Sequence, residues 1–88
     1  MTRILAIDQG TSATKAVIVD DGGRVCSIAE VELRPTYLPG GGVEQDPRAL
    51  LDSVITAGRR ALAEAGLAVD AVALANQGET VLAWDRAT

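Results

Sequence analysis

Apolar residues in the early part of the chain fall into three runs that short polar segments separate. Residues 4–7 form a continuous apolar run, which is typical of a strand buried on both faces. Residues 15–19 are rich in β-branched side chains, and residues 24–33 alternate between apolar and polar positions. Asp21-Gly22 separates the last two runs and is a strong hairpin signal, because the tight turn needs positive φ. The pattern predicts a three-stranded antiparallel meander over residues 3–33.

The alternation in the third run predicts two faces of different character. The more apolar face consists of Val25, Ser27, Ala29, Val31 and Leu33. The other face carries Cys26 and Ile28 among charged residues, so it should be partly buried near one edge of the sheet. We expect Cys26 to be a small core residue.

A helical pattern occupies the middle of the chain. Asp46 is a good N-cap, Pro47 suits the first helical position, and Gly66 is a natural residue to end the helix. Apolar residues between them recur at the i, i+3, i+4, i+7 spacing of a helix face. This stripe consists of Leu50, Leu51, Val54, Ile55, Gly58, Ala61, Leu62 and Ala65. The pattern predicts a helix over Pro47–Ala65 that packs this stripe on the sheet.

The segments that flank the helix predict a loop and a returning strand. Residues 35–42 contain two prolines and three consecutive glycines, so we expect a plain connection there. Residues 71–75 are apolar throughout, which predicts a central strand. A strand, a helix and a returning strand imply a right-handed crossover, so residues 71–75 should run parallel to the first strand. Residues 81–84 predict a fifth short strand.

The loop after the first strand carries groups that suit a phosphate. Gly10 lets the backbone approach a ligand closely, and loop N–H groups with the Thr11 and Ser12 hydroxyls can surround an anion. Lys15 adds a positive charge, and Asp8 can hold Mg²⁺ or one of its waters. Together these groups indicate phosphoryl transfer. The same residue types are ordinary in hairpin turns, which leaves a plain turn as the alternative.

The spacing in this stretch excludes a P-loop. Thr14 stands where that motif needs its second glycine, and Ala16 stands where it needs a serine or threonine for the metal. A strand pattern also follows the loop, whereas a P-loop opens a helix.

Composition narrows the class of protein. The chain has 88 residues, enough for one small domain, and 48% of them are apolar, as in a globular protein. A net charge of −4 without a basic stripe argues against nucleic-acid binding. No apolar run approaches the roughly 20 residues that cross a membrane, and no signal-peptide layout is present. The single cysteine allows no internal disulfide, so we expect a cytoplasmic protein.

Three stretches, in order along the chain, carry a resemblance to a known family. Residues 7–12, IDQGTS, are followed by a basic residue; residues 42–47 read GVEQDP; residues 76–80 read NQGET, with WDR at 84–86. They resemble the first phosphate motif, the segment before the first long helix, and the substrate stretch of the FGGY carbohydrate kinases. These enzymes include glycerol kinase and xylulokinase, and glycerol kinases are nearest in pattern.

The resemblance implies an α/β chain with a partial actin-like, ribonuclease-H-like ATPase fold. Residues 1–88 would form the N-terminal part of the first domain, without the second. The implied activity is transfer of the ATP γ-phosphoryl group, with Mg²⁺, to a sugar or polyol hydroxyl. The family's general base and adenine site lie beyond these residues, so we expect the chain alone to be inactive.

The same resemblance implies roles for particular residues. Asp8 would be the catalytic carboxylate and would hold Mg²⁺ through water. The nucleotide phosphates would meet Gly10, Thr11, Ser12, Ala13 and Lys15, and the sugar or polyol would meet Gln77, Gly78 and Glu79.

Two of these positions depart from glycerol kinases. Gly78 stands in place of an arginine that contacts the polyol. The directed hydrogen bonds of a guanidinium group are therefore lost, and room for a larger substrate is gained. Lys15 also replaces an arginine, and it keeps the charge without the bidentate geometry. The departures leave the identity of the sugar or polyol open.

Two other functions stay open from the sequence. One is another ATPase of the same fold, such as a chaperone or a filament protein. The other is a non-catalytic module that self-associates. Residues 4–7 and 71–75 are apolar on both faces, while one helix can cover only one face. We therefore expect the isolated chain to self-associate through the uncovered face.

Overall fold

The computed structural model describes residues 2–78, 82–83 and 85–87, and the structural statements concern these residues. They form strands β1 (Arg3–Gln9), β2 (Ala13–Asp20), β3 (Val25–Glu32), β4 (Thr36–Tyr37) and β5 (Val43–Glu44), helix α1 (Pro47–Ala65) and strand β6 (Ala71–Ala75). None of the helical structure in this part of the chain is long and apolar enough to span a membrane.

The main sheet has the strand order β3-β2-β1-β6. Strands β1, β2 and β3 pair antiparallel, and β6 pairs parallel to β1, with Ile4 opposite Ala71 and Ile7 opposite Leu74. The structure therefore confirms the predicted meander and the parallel return strand. The β2–β3 turn has its positive φ at Gly23, while the Asp20 carboxylate accepts the N–H groups of Gly22 and Arg24 at 2.9 Å each.

Helix α1 begins and ends where its capping residues predict. The Asp46 carboxylate accepts the Arg48 N–H at 2.9 Å, and Pro47 occupies the first turn. Gly66 has a φ of 64° and its N–H donates to the Leu62 carbonyl at 3.0 Å, which ends the helix.

The face that α1 buries differs from the predicted apolar stripe. Its buried residues are Ser53, Ala57, Gly58 and Ala61. Leu51 and Ile55 are 60% and 43% exposed, so that part of the stripe prediction is wrong. Small side chains allow the helix axis to approach the sheet closely, which turns the larger residues to the flank. The core consists of Leu5, Ile7, Ala16, Ile18, Ala57 and Ala61.

The predicted central position of residues 71–75 is also wrong. Strand β6 lies at an edge of the described sheet, and all five of its residues are exposed. Helix α1 packs on β1, β2 and β3 and does not reach β6. Val72 and Leu74 share a sheet face with the buried Leu5 and Ile7 but have no helix above them.

A bulge in β3 changes the predicted faces of that strand. Ile18 pairs with Ser27, but Val19 pairs with Val25, so Cys26 is an extra residue on β3. Val25 consequently leaves the face of Ser27 and is half exposed, contrary to the prediction. Cys26 is half-buried and packs against the core.

The prediction of a plain connection over residues 35–42 is wrong. Strands β4 and β5 form a short antiparallel hairpin, in which Tyr37 pairs with Val43. Gly40 and Gly41 have φ values of 87° and 93°, which allow the tight turn. The predicted strand at residues 81–84 falls largely outside the described residues, and Leu82 and Ala83 are not in a strand.

Gly58→Ala is expected to stabilise the protein. A Cβ at Gly58 would lie 3.5 Å from Ile7 Cδ1 and 3.6 Å from Leu5 Cδ2, which is ordinary contact. Glycine inside a helix costs roughly 0.5–1 kcal/mol relative to alanine, so the free energy of unfolding should rise by about that amount. Urea denaturation followed by circular dichroism measures it. Gly58→Leu is the control and should destabilise by overpacking; a lower stability for Gly58→Ala would contradict the packing described.

Candidate functional site

A cleft of about 830 Å³ lies where the carboxyl ends of β1 and β6 meet. Its walls are residues 8–11 at the end of β1, residues 43–45 with Pro47 and Leu50 beside the start of α1, and residues 76–78 after β6. Ligands of open α/β sheets bind at the carboxyl ends of parallel strands. The topology therefore places the cleft where a ligand site is expected.

The loop between β1 and β2 consists of residues 10–12, and its first two residues line this cleft. The Gly10 N–H donates to the Ala13 carbonyl at 2.9 Å and closes the loop. A Cβ at Gly10 would lie 3.0 Å from the same carbonyl oxygen, a tight contact with backbone, so this close approach favours glycine. The loop keeps its shape through its own backbone.

All three carbonyls of this loop accept hydrogen bonds from the protein. Gly10 O accepts from the side-chain amides of Gln9 at 2.8 Å and Gln77 at 3.2 Å. Thr11 O accepts from Gln45 Nε2 at 2.8 Å, and Ser12 O accepts from the Leu33 N–H at 2.8 Å.

The donors of Thr11 and Ser12 in the same loop remain available. Both residues are exposed, and neither their N–H groups nor their hydroxyls bond to any described residue. A loop whose carbonyls point into the protein and that keeps two neighbouring N–H groups unbonded can receive an anion.

Asp8 and Lys15 lie beside this loop on the sheet face opposite α1. They are paired residues of β1 and β2, and both are exposed. Lys15 also pairs with Glu30 of β3, yet it forms no ion pair with any described residue. The carboxylate of Asp8 and the ammonium group of Lys15 are therefore both available to a ligand.

The structure brings together some of the predicted site residues. Asp8, Gly10, Thr11, Gln77 and Gly78 line one cleft. Ser12, Ala13 and Lys15 follow the loop into β2 and are not part of the cleft lining. Glu79 lies outside the described residues.

Gly78 leaves open space in the cleft wall. A Cβ at this position would meet no atom within 4 Å. This space is compatible with either a side chain on the protein or a bulkier ligand.

Gln45 is a site residue that the sequence did not predict. The stretch 42–47 carried part of the family resemblance, but nothing there indicated a role for one side chain. Its amide reaches Thr11, which lies 34 residues earlier in the chain. The only local signal was an amide placed directly before a helix N-cap, and the loop it meets could not be known without the fold.

A buried hydroxyl pair attaches the start of β2, just after the loop, to α1. The Ser53 hydroxyl donates to the Leu50 carbonyl at 2.6 Å, so its single proton is used there. The Thr14 hydroxyl, 2.7 Å away, must therefore be the donor of the pair. This bond fixes the start of β2, immediately after the loop, to the first turns of the helix.

The chain matches one protein family over nearly its whole length. The model of the FGGY family of carbohydrate kinases, N-terminal domain, matches residues 3–88. The chain belongs to the FGGY family of carbohydrate kinases. The actin-like ATPase fold that the sequence motifs led us to expect is confirmed for this chain.

Among curated FGGY proteins, the chain is similar to two bacterial glycerol kinases. It is 42% identical to that of Methylibium petroleiphilum over 91 aligned residues, which cover 100% of this chain and 18% of the relative. It is 39% identical to that of Sinorhizobium fredii, with 97% of this chain and 18% of the relative covered. The chain thus spans about a fifth of the length of these relatives.

Two solved FGGY structures resemble the fold closely. Plasmodium falciparum glycerol kinase with ADP aligns with a TM-score of 0.84 and 28% identity, over 100% of this chain and 18% of that one. A xylulose kinase from Brucella ovis aligns with a TM-score of 0.76 and 29% identity, over 85% of this chain and 16% of that one.

Proposed function

We propose that this chain is the N-terminal part of an ATP-dependent kinase that transfers the γ-phosphoryl group of ATP to a sugar or polyol hydroxyl. Its proposed roles are to hold the nucleotide phosphates and to face the substrate. The observation that carries the proposal is the loop of residues 10–12, which lies beside a cleft shared with residues 76–78. Its carbonyls are bonded inward, while the N–H groups and hydroxyls of Thr11 and Ser12 have no partner among the described residues.

The proposed phosphate contacts are the N–H groups and hydroxyls of Thr11 and Ser12. Backbone N–H groups that are already oriented lose little entropy when they bind, and they donate well to phosphate oxygens. The backbone of Ala13 and the Lys15 ammonium group would extend this surface along β2. ADP is bound in the P. falciparum glycerol kinase structure, which supports a nucleotide here.

The residues present fit Mg²⁺ that arrives with the nucleotide. Within the described residues no cluster of three acidic, histidine or cysteine side chains could hold a metal ion. Asp8 is one exposed carboxylate at the cleft, and Mg²⁺ is commonly held by one or two carboxylates plus water and substrate phosphates. When bound, the ion would neutralise charge that develops during phosphoryl transfer.

The proposed substrate surface is formed by residues 77–79. The open space at Gly78 favours a substrate that is larger than glycerol or differently shaped. The general base and the adenine site are proposed to lie in the remainder of the protein, so the 88-residue chain alone should not turn over ATP. We also propose a cytoplasmic location, since the ATP that it would use is found there.

The activity is tested in the protein of full family length that carries this sequence, hereafter the full-length kinase. ADP formation is measured with glycerol, xylulose and gluconate as acceptors, together with a wider panel of polyols. Acceptor-dependent ADP formation supports the proposal, and its absence across the panel would contradict it.

Gly78→Arg is expected to shift acceptor preference toward glycerol. The side chain has room, and a hydrogen bond from a charged group contributes about 1.5–3 kcal/mol, or roughly 10–100-fold in relative kcat/KM. Gly78→Lys, which has charge without the fork, should give a smaller shift. An unchanged ratio of glycerol to the other acceptors in Gly78→Arg would rule out a substrate contact at this position.

A second proposal concerns assembly. Val72 and Leu74 are 63% and 64% exposed on β6, where no contact with α1 covers them. We propose that the isolated chain self-associates through this surface.

A further inference from the structure

We propose that Gln45 is a positioning residue that couples the phosphate loop to the substrate stretch through a hydrogen-bonded amide pair with Gln77. This inference rests on the proposed function, in which residues 10–12 hold the nucleotide phosphates and residues 77–78 face the substrate. Three segments that are remote in sequence meet at this pair: the loop, the residue before the N-cap of α1, and the segment that follows β6.

The bonds of the pair have one consistent direction. Gln45 Nε2 donates to Thr11 O at 2.8 Å, while Gln77 Nε2 donates to Gln45 Oε1 at 2.8 Å and to Gly10 O at 3.2 Å. A carbonyl oxygen can only accept, so each amide must turn its nitrogen toward the loop. This fixes both side-chain orientations.

Planar peptide units turn these bonds into control of the loop donors. The Gly10 carbonyl and the Thr11 N–H belong to one trans peptide unit and point in opposite directions. The Thr11 carbonyl and the Ser12 N–H form the next unit. By holding the two carbonyls, Gln77 orients the Thr11 N–H and Gln45 orients the Ser12 N–H.

Gln45 is itself held in place by the helix start. The next residue, Asp46, caps α1, and its carbonyl also accepts the Leu50 N–H at 3.1 Å. Gln45 therefore joins the helix start to the loop. Gln77, which precedes Gly78 in the chain, joins the loop to the substrate stretch. A substrate that fixes the conformation of residues 77–78 would fix the Gln77 side chain. Through Gln45, it would also fix the orientation of the Thr11 and Ser12 N–H groups.

The expected consequence is reciprocal cooperativity between acceptor and nucleotide. Coupling between two sites typically changes affinity by about 5–150-fold, and it is equal in both directions. In the full-length kinase, the acceptor should tighten binding of the non-hydrolysable analogue AMP-PNP by a factor in this range. Gln45→Leu should bring that factor close to one and raise the KM for ATP, with the acceptor Kd in the absence of nucleotide changed little.

The test measures the Kd of AMP-PNP with Mg²⁺ by calorimetry, with and without the acceptor that the full-length kinase phosphorylates fastest among glycerol, xylulose and gluconate. Gln77→Leu is the second variant, and the Gln45→Leu/Gln77→Leu double variant should lose no more cooperativity than either single change. Ser27→Ala is the control, because the Ser27 hydroxyl also joins two distant segments, donating to the Ala61 carbonyl at 2.7 Å, but is no part of the cleft lining. It should keep the cooperativity.

The outcomes separate this inference from the proposed function. An unaltered protein that binds no AMP-PNP and phosphorylates no acceptor contradicts the function. An active protein without cooperativity, or one whose cooperativity survives both Gln45→Leu and Gln77→Leu, overturns the coupling role alone. If Gln45→Leu fails to fold by circular dichroism, Gln77→Leu decides the result. Equal loss in Ser27→Ala would also overturn the role, since it would indicate general loosening of the fold.

Discussion

Asp8→Asn in the full-length kinase should lower kcat at saturating acceptor by about 10²–10³-fold, the usual loss when one electrostatic contact of a transition state is removed. The acceptor KM should change little. Asparagine keeps the size of the side chain and an acceptor oxygen, so the exposed end of β1 should fold as before. What is lost is the negative charge that would hold Mg²⁺ or its waters, and this charge matters most as the phosphoryl group transfers.

Steady-state kinetics at several Mg²⁺ concentrations test this expectation. The Mg²⁺ concentration for half-maximal rate should rise in Asp8→Asn, which a purely structural defect would not cause. Asp52→Asn is the control, since Asp52 is an exposed carboxylate in the middle of α1 and is no part of the cleft lining. An unchanged kcat in Asp8→Asn would remove Asp8 from the site.

The isolated 88-residue chain should sediment as a dimer or a larger species and show no acceptor-dependent ATP turnover. Its β6 strand is apolar and exposed at every position, and its backbone edge is open among the described residues. Leu51 and Ile55 of α1 add exposed apolar side chains, at 60% and 43% exposure. Exposed apolar surfaces and open strand edges both favour association.

Sedimentation equilibrium across a range of concentrations measures this association. Val72→Lys with Leu74→Lys should convert the chain largely to monomer, because a lysine cannot be buried unpaired between two copies. Tyr37→Lys is the matched control: Tyr37 is 74% exposed, but it lies in the β4–β5 hairpin. A monomeric unaltered chain at high concentration would contradict the association, and acceptor-dependent ADP formation would contradict the inactivity.

The parts of the fold that could be predicted are those with strong local signals. Asp46, Pro47 and Gly66 set both ends of α1 through interactions within a few residues of each other. The apolar run in β1 and the turn before β3 likewise gave the meander. The glycine and hydroxyls of the loop predicted a phosphate site from equally local signals, and that role stays a prediction.

The parts that were missed depend on contacts between distant segments. Cys26 forms a bulge because of how β3 meets β2, and alternation along one strand cannot reveal an inserted residue. Leu51 and Ile55 are exposed because the small residues of α1 set its rotation over the sheet. Gln45 acquires its role only when the fold brings it to Thr11.

The most direct test of the central claim is hydrogen exchange of the loop amides in the full-length kinase, measured at single-residue resolution. If residues 10–12 hold the nucleotide phosphates, AMP-PNP with Mg²⁺ should slow exchange at Thr11 and Ser12, whose N–H groups have no partner among the described residues. Exchange at Gly22 and Gly23, in the turn at the opposite end of β2, should not change. Nucleotide binding that leaves exchange at Thr11 and Ser12 unaltered would contradict the phosphate role of the loop.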